Sequence, residues 1–272
     1  MIPLEAFFCN LAEFRFRDVF DGAASAWEPV GRVHAFVREE LSRLAQDPDV
    51  ARRGELGGLS GHEVCREDVV ERLVVAEGLV HVPEDTLLAE FGIFLGRGTI
   101  IEPGVVIKPH TLIGEETELR QGAYVRGNVV VGSRSIIGHA TEVKNSILMD
   151  HVEAGHFAYV GDSILGYHVN LGAGTKLANL QLRSAAARET GAISPVRITV
   201  GDTAYDTGLA KLGAVLGDNV EIGCNAVTSP GTMMGKDSWI YPCVNVRKGY
   251  YPPGSIIKGD GTVVTRRRER TG

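Results

Sequence analysis

The chain has 272 residues, 44% of them hydrophobic and 23% charged, with 34 glycines and a formal net charge of −6, enough for one large domain or two modest ones. The acidic balance excludes a broad basic surface for nucleic acid or an anionic membrane. No apolar run reaches the roughly 18 residues of a membrane span, and the glycine excess points to many tight turns.

The first residues, MIPLEAFFCNLAEFRFRD, carry acids early and lack a long apolar core, so they do not read as a signal peptide. The four cysteines, Cys9, Cys65, Cys224 and Cys243, show no paired spacing of the zinc or redox type. Cys224 and Cys243 could lie near each other, but a reduced interior is the simpler reading, and a cytoplasmic protein is expected. Val30–Ala45 has helical spacing, with Val33, Phe36, Val37, Leu41 and Leu44 on one stripe. Glu67–Val75 reads as a further helical turn or two. Residues 1–80 are therefore expected to be a mostly helical segment that caps or flanks the rest of the chain.

From Leu95 an aliphatic residue recurs every sixth position: Leu95, Ile101, Ile107, Ile113, Leu119, Val125, Val131, Ile137, Val143, Met149. The frame shifts by one at Ala154, continues at Val160, shifts again at Leu165 and resumes with Leu171 and Leu177. A second run comes after it with Leu216, Ile222, Thr228, Met234, Ile240 and Val246. Neither a helical nor a strand period produces six. A triangular coil does, with three short strands per turn and one inward side chain per face, stacked about 4.8 Å apart. The expected class is all-β, a left-handed parallel β-helix of hexapeptide repeats over residues 81–260. It is interrupted at 183–209, where Val196–Val200 and Thr203–Tyr205 read as a small hairpin around Gly201-Asp202. A loop this long is more often functional than idle. Residues 261–272, with the run Arg266–Arg270, read as a solvated basic tail.

The inside of such a coil is packed, so chemistry belongs outside the ladder. Arg126, Lys144, His156, Tyr159, Asn170 and Asn179 are polar residues clustered over a few coils. Arg126 and Lys144 are one coil apart, and two stacked cations suit an anion such as phosphate between them. His156 sits at the apparent frame slip, which re-aims side chains as a bulge does. Its imidazole can take the proton of an attacking amine, with backbone N–H groups or asparagine amides steadying the oxyanion of a thioester carbonyl. Taken alone, each of these residues is as readily structural.

The stretches GAYVRG (122–127), EVKNS (142–146), GHFAYVGDSILG (155–166), HVNLGAGTKLANL (168–180) and KLGAVLGDNVEIGCNAVTSPGT (211–232) resemble the acetyltransferase domain of the bifunctional glucosamine-1-phosphate acetyltransferase/uridylyltransferases and their archaeal sugar-phosphate relatives. The likeness covers about two thirds of the chain. It implies an acetyl-CoA-dependent N-acetyltransferase acting on a hexosamine 1-phosphate. It places His156 as general base, Arg126 and Lys144 at the sugar phosphate, and Tyr159, Asn170 and Asn179 along the amino sugar. Ala173 falls near the thioester, and Cys224 and Pro242 line the acetyl-CoA groove. It also implies a homotrimer with sites shared between subunits. No metal is required, although the site leaves room for a magnesium ion beside the phosphate.

Three features depart from that pattern. The first 80 residues are too short for a nucleotidyltransferase domain and lack its glycine-rich loop, so uridylyl transfer is not expected. The 183–209 insertion replaces a short loop bearing a substrate-contacting lysine, for which Lys211 or Arg197 could substitute. Leu180 stands where the bacterial enzymes carry an aromatic residue. Two other classes share the fold. A γ-type carbonic anhydrase would use His151 and His156, but its third histidine position is Glu115, and His110 is out of phase. A non-catalytic scaffold would need none of His156, Tyr159 and Asn170.

Overall fold

A computed structural model describes residues 2–66, 69–259 and 261–265. Within them the chain winds into a left-handed parallel β-helix, with sheets of ten, ten and nine strands along the sides of a triangular prism. Face 1 includes Ile93–Leu95, Thr111–Ile113, Val129–Val131, Ser146–Leu148, Ile164–Leu165, Ala214–Leu216 and Thr232–Met234. Face 2 includes Glu118–Leu119, Ile136–His139, Glu153–His156, Asn170–Leu171, Glu221–Ile222 and Trp239–Ile240. Face 3 includes Tyr124–Val125, Glu142–Lys144, Tyr159–Gly161, Lys176–Leu177, Val227–Thr228 and Asn245–Val246. The chain visits the faces in that order on every coil.

The inward ladder is the expected one with a single correction. Val131 pairs with Leu148, and Leu148 faces the interior, whereas Met149 lies in a second apolar cluster outside the coil. The ladder therefore shortens between Val143 and Leu148 and again between Val160 and Leu165. Both slips fall at the corner joining face 3 to face 1, and His156 is not at one.

Each corner turns through a residue with positive φ. At the corner of faces 1 and 2 the non-glycine ones are Glu116, Arg134, His151, His168, Asn219 and Asp237, with φ between 53° and 60°. Side chains beside them satisfy the backbone groups that the turn orphans. Ser133 N–H donates to Asp150 Oδ1 at 2.7 Å, and Tyr167 N–H donates to Asp218 Oδ1 at 2.9 Å. Inside the corner, the hydroxyls of Thr99, Thr117 and Ser135 donate to the carbonyl oxygens of Gly114, Gly132 and Met149 at 3.0, 2.8 and 3.1 Å. Among the described residues, Thr228 Oγ1 alone is buried without a hydrogen-bond partner.

Face 1 is apolar on its outer side too. Phe94, Leu112, Val130, Ile147, Ile164, Val215 and Met233 point outward and are fully buried. Helix α1 (Glu28–Leu44) lays Val30, Val33, Val37, Leu41 and Leu44 on this face, with Phe7, Phe14 and Phe16 alongside. Burying side chains of this size stabilises by about 1.5–3 kcal/mol each, which is why this face takes a cover. The cover is tied to the coil by its backbone: Asp218 N–H donates to Phe7 O at 2.8 Å and Lys236 N–H to Ala6 O at 3.0 Å. In return, Asp218 Oδ2 accepts from the N–H groups of Cys9 and Asn10 at 2.7 and 3.2 Å.

The leading segment is less helical than its sequence suggests. Val69–Ala76 is a strand, paired antiparallel with Leu59–Arg66 and adding to face 3 through Val106–Ile107. The run VVERLVVA fits helix and strand spacing alike, and the edge of face 3 decides for strand. Glu67 and Asp68, where that helical reading began, lie outside the described residues. Val80–His81 also pairs antiparallel, with Ile100–Ile101, so the parallel ladder starts at Ile93–Leu95. At the far end Val263–Thr265 returns antiparallel on Ser255–Ile257, and residues 266–270 lie outside the described residues.

The insertion holds α2 (Ala185–Thr190), capped by the Ser184 hydroxyl accepting from Ala187 N–H, and the expected hairpin as Arg197–Val200 with Thr203–Asp206. Val196 and Ile198 are fully buried, and Tyr205 packs on Trp27 with ring centroids 6.2 Å apart. The hairpin thus joins the cover of face 1. No helix is long and apolar enough to cross a membrane among the described residues.

Candidate active site

The corner of faces 2 and 3 carries one file of residues, Gln121, His139, His156, Ala173, Cys224 and Pro242. Its backbone links are regular: Phe157 N–H donates to His139 O at 2.8 Å, Gly174 N–H to His156 O at 3.0 Å, Asn225 N–H to Ala173 O at 2.8 Å and Cys243 N–H to Cys224 O at 2.8 Å. His139 and His156 are in register, and Pro242 comes just after Ile240, the partner of Ile222. The candidate base and the three candidate thioester-groove residues therefore stand in single file on one edge. Gly138, Gly155, Gly172 and Gly223 precede members of this file. At three of them a Cβ would run into the next coil, while Gly155 opens on free space.

The turn after the file uses Gly122, Ala140, Phe157, Gly174, Asn225 and Cys243, all with positive φ. Phe157, at 44°, is the bulkiest of them and is 50% exposed. A large side chain in the left-handed region is strained, and such strain gathers at functional sites. All four cysteines are exposed and free.

Face 3 runs from this edge to the next corner. Over the middle coils its outward residues are Tyr124, Glu142, Tyr159 and Lys176, paired coil on coil, with Val106 before them and Val227 and Asn245 after. Lys176 Nζ donates to the carbonyl oxygens of Phe157 and Gly174 at 2.7 and 2.8 Å, bracing the turn beside His156. At the far corner Arg126 and Lys144 stack as their spacing requires, but no outside anion is needed to hold them together. Arg126 bonds Glu142 at 2.6 Å, and Lys144 lies 3.3 Å from Asp162. The bond to Glu142 raises the Arg126 pKa further.

Asp162 is 5% exposed and is met by Asn145 Nδ2 at 2.8 Å and by Asn179 Nδ2. Tyr159 completes this group by bonding Asn179. Burial, with Glu142 and Asp162 nearby, pushes the Tyr159 phenol above its usual range, so it stays a neutral donor. Leu212 N–H donates to Asn179 O at 3.1 Å, which sets the chain at Lys211 beside the same corner.

Asn170 is the member that coil arithmetic misplaced. It lies on face 2, where its Nδ2 donates to Glu221 Oε2 at 2.9 Å, in a cavity of about 320 Å³ with His151, Glu153, His168 and Asn219. Within one chain the six polar candidates therefore form three groups rather than one cluster. Arg197 is engaged with Asp206 at 3.4 Å in the hairpin over face 1 and does not approach any of them. His151 and His156 occupy opposite edges of face 2, so their five-residue spacing does not converge within the chain. Glu115 faces Arg15 and Arg97, at 3.6 and 3.2 Å, while His110 stacks on His34 with ring centroids 6.3 Å apart. Among the described residues no three of His, Cys, Asp and Glu are placed to hold a metal ion.

Sequence reasoning overlooked His139, Phe157, Lys176 and the paired carboxylates Glu142 and Asp162. Counting one coil back from His156 would have found His139. The ion pairs have no such signal.

A family model described as the GMPPB C-terminal domain matches residues 107–222. The bifunctional sugar-1-phosphate nucleotidylyltransferase/acetyltransferase of Sulfurisphaera tokodaii is 31% identical over 170 residues, 55% of this chain and 40% of that protein. Bifunctional protein GlmU of Methanococcus aeolicus is 33% identical over 183 residues, 67% of this chain and 42% of its own length. The chain thus spans about two fifths of the length of these curated relatives. Among solved structures, the Francisella novicida UDP-N-acetylglucosamine acyltransferase aligns over 70% of this chain and 68% of its own, at 14% identity and a TM-score of 0.44. The resemblance to hexapeptide-repeat acetyltransferases read from the motifs stands.

Proposed function

We propose that the chain is an acetyl-CoA-dependent N-acetyltransferase acting on an amino-sugar phosphate, a hexosamine 1-phosphate, without nucleotidyl transfer. The observation that carries the reading is the file His156, Ala173, Cys224 and Pro242 on one open edge. An extended pantetheine arm can lie along such an edge and bring its thioester to the histidine. Bound acetyl-CoA supplies the activated acyl group. His156 then takes the proton of the sugar amine as it attacks, and the backbone N–H of Ala173, beside Gly172 and Gly174, would face the developing oxyanion.

Arg126 and Lys144 would receive the phosphate at the other edge of face 3. The chain turns the corner at Phe157 between His156 and Tyr159, so a hexose phosphate would lie over that corner, from the histidine to face 3. Glu142 and Asp162 keep the two cations oriented until a doubly charged phosphate competes for them. Asn170 lies around the corner on face 2, so a second copy of the chain has to complete the sugar pocket. That is the argument for a homotrimer with shared sites. Four exposed free thiols suit a reducing, cytoplasmic setting.

The test is thiol release from acetyl-CoA with a panel of amino-sugar phosphates, beside His156→Ala. Turnover on glucosamine or galactosamine 1-phosphate is expected, falling roughly 10²–10⁴-fold in the variant. Full activity in the variant removes His156 from the mechanism. A chain that neither binds acetyl-CoA nor releases thiol is a scaffold, and the proposal fails.

A further inference from the structure

The file at the edge of faces 2 and 3 holds a second histidine, to which the proposed acyl transfer gives no role. His139 lies one coil before His156, in register with it. Its Nδ1 is 2.8 Å from the Gln121 carbonyl oxygen. A carbonyl only accepts, so Nδ1 carries the hydrogen, and in the neutral ring Nε2 keeps its lone pair. That is the tautomer a general base needs, held by a backbone acceptor just as an orienting group holds a catalytic histidine. His156 makes no side-chain hydrogen bond among the described residues; its ring contact is with Phe157. The better-oriented imidazole on this edge is thus His139.

Phe157 connects the two. Its ring stands edge-on to His139 and tilted to His156, with centroids 5.9 Å away in both cases. Its strained backbone keeps it between the coils, half in solvent. The open space beside Gly155 gives a substrate access to the same edge. In the file, the neighbour below His139 is the uncharged Gln121 and the one above is His156, while Tyr124 and Glu142 lie on the adjoining strands of face 3.

We propose that His139 is a second catalytic residue, the proton acceptor that the substrate amine meets together with His156. The inference rests on the acyl-transfer reading. The amine nitrogen bonds to the acetyl carbon and the carbon–sulfur bond breaks. The amine proton passes to this histidine pair, to His156 or to His139 Nε2, and from there to the departing sulfur, leaving an amide and a free thiol with no other reactant.

The experiment measures the pH dependence of kcat for the wild-type chain, His139→Ala and His139→Gln, using acetyl-CoA and the same amino-sugar phosphates, with and without added imidazole. A loss of roughly 10–100-fold in kcat is expected in both variants, with the KM for acetyl-CoA within about twofold of wild type. Imidazole should restore part of the loss in the alanine variant, where the solvent-exposed position admits the ring, and the acidic limb of the profile should shift. A purely structural role would give neither. Should the alanine variant melt early, the glutamine variant, of similar bulk and polar but with no titrating proton, carries the comparison. Unchanged kcat in both variants, or a loss that imidazole leaves untouched with an unmoved profile, overturns the assignment of His139 and leaves the acyl-transfer reading standing. A wild-type chain inactive on every amine sinks both.

Discussion

Faces 1 and 3 are built from strands of similar length on the same coil and share one interior, yet their outer columns are opposites. Face 1 shows Phe94, Leu112, Val130, Ile147, Ile164, Val215 and Met233 to its cover, and face 3 shows Tyr124, Glu142, Tyr159 and Lys176 to solvent. A β-helix constrains only its inward ladder, because stacking satisfies the backbone and the inward residues make the core. The outward column is free to vary. Here one face fastens the N-terminal segment through α1 and the hairpin of the insertion, and another stays polar.

The sharpest way to break that contrast is to move a charge from one face to the other. Ile147→Asp, outward on face 1 and fully buried, is expected to destabilise by more than about 4 kcal/mol, because an unpaired carboxylate would sit under α1. Glu153→Gln, outward on face 2 and exposed, should stay within about 0.5 kcal/mol. Urea titration of the pair checks both, and equal effects would mean that α1 does not pack on face 1.

Gly138→Ala, on an open face, should cost about 3 kcal/mol, since its Cβ would meet the Gly155 carbonyl oxygen of the next coil. A wild-type urea midpoint in this variant would contradict the coil spacing. The demand there comes from backbone against backbone and is indifferent to whether the face is covered.

Asp218 tests the seam between coil and cover. Burial raises its carboxyl above the ordinary value, partly offset by the N–H groups of Cys9, Tyr167 and Asn10. Between the ordinary value and the raised one, the native state therefore holds a proton that the unfolded chain gives up. The resulting stability is complete below the ordinary carboxylate value and is lost as pH climbs through the raised one. Asp218→Asn should remove that slope and cost about 1–2 kcal/mol near neutral pH through weakened acceptors. Stability against pH measured for both proteins decides it, and parallel curves would clear Asp218 of any part.

The smallest effect belongs to the shared interior. Thr228→Val replaces an orphaned buried hydroxyl with a methyl group, and should be neutral or stabilising by up to about 1 kcal/mol. A clear loss on thermal melting would mean that this hydroxyl has a partner.

Period six alone was enough to read the coil, its order and its interior, because each inward position is filled by the local chain and repeats without reference to anything distant. The same local logic exposed His156, Arg126 and Lys144 as residues outside the ladder, and the hairpin at 197–206. What it could not reach depended on which strand lies beside which. Leu148 rather than Met149 faces inward because the corner at Asn145 is one residue shorter, and only pairing with Val131 reveals it. Arg126 and Lys144 are matched by Glu142 and Asp162 across coils, so charge counted along the chain overstated how free they are. Asn170 turned onto another face, and Val69–Ala76 became a strand because an open edge of face 3 was there to receive it. The repeat is written locally and so could be read; the covered face, the ion pairs and the file through His139 and His156 arise from stacking residues far apart along the chain, which tertiary structure alone brings into contact.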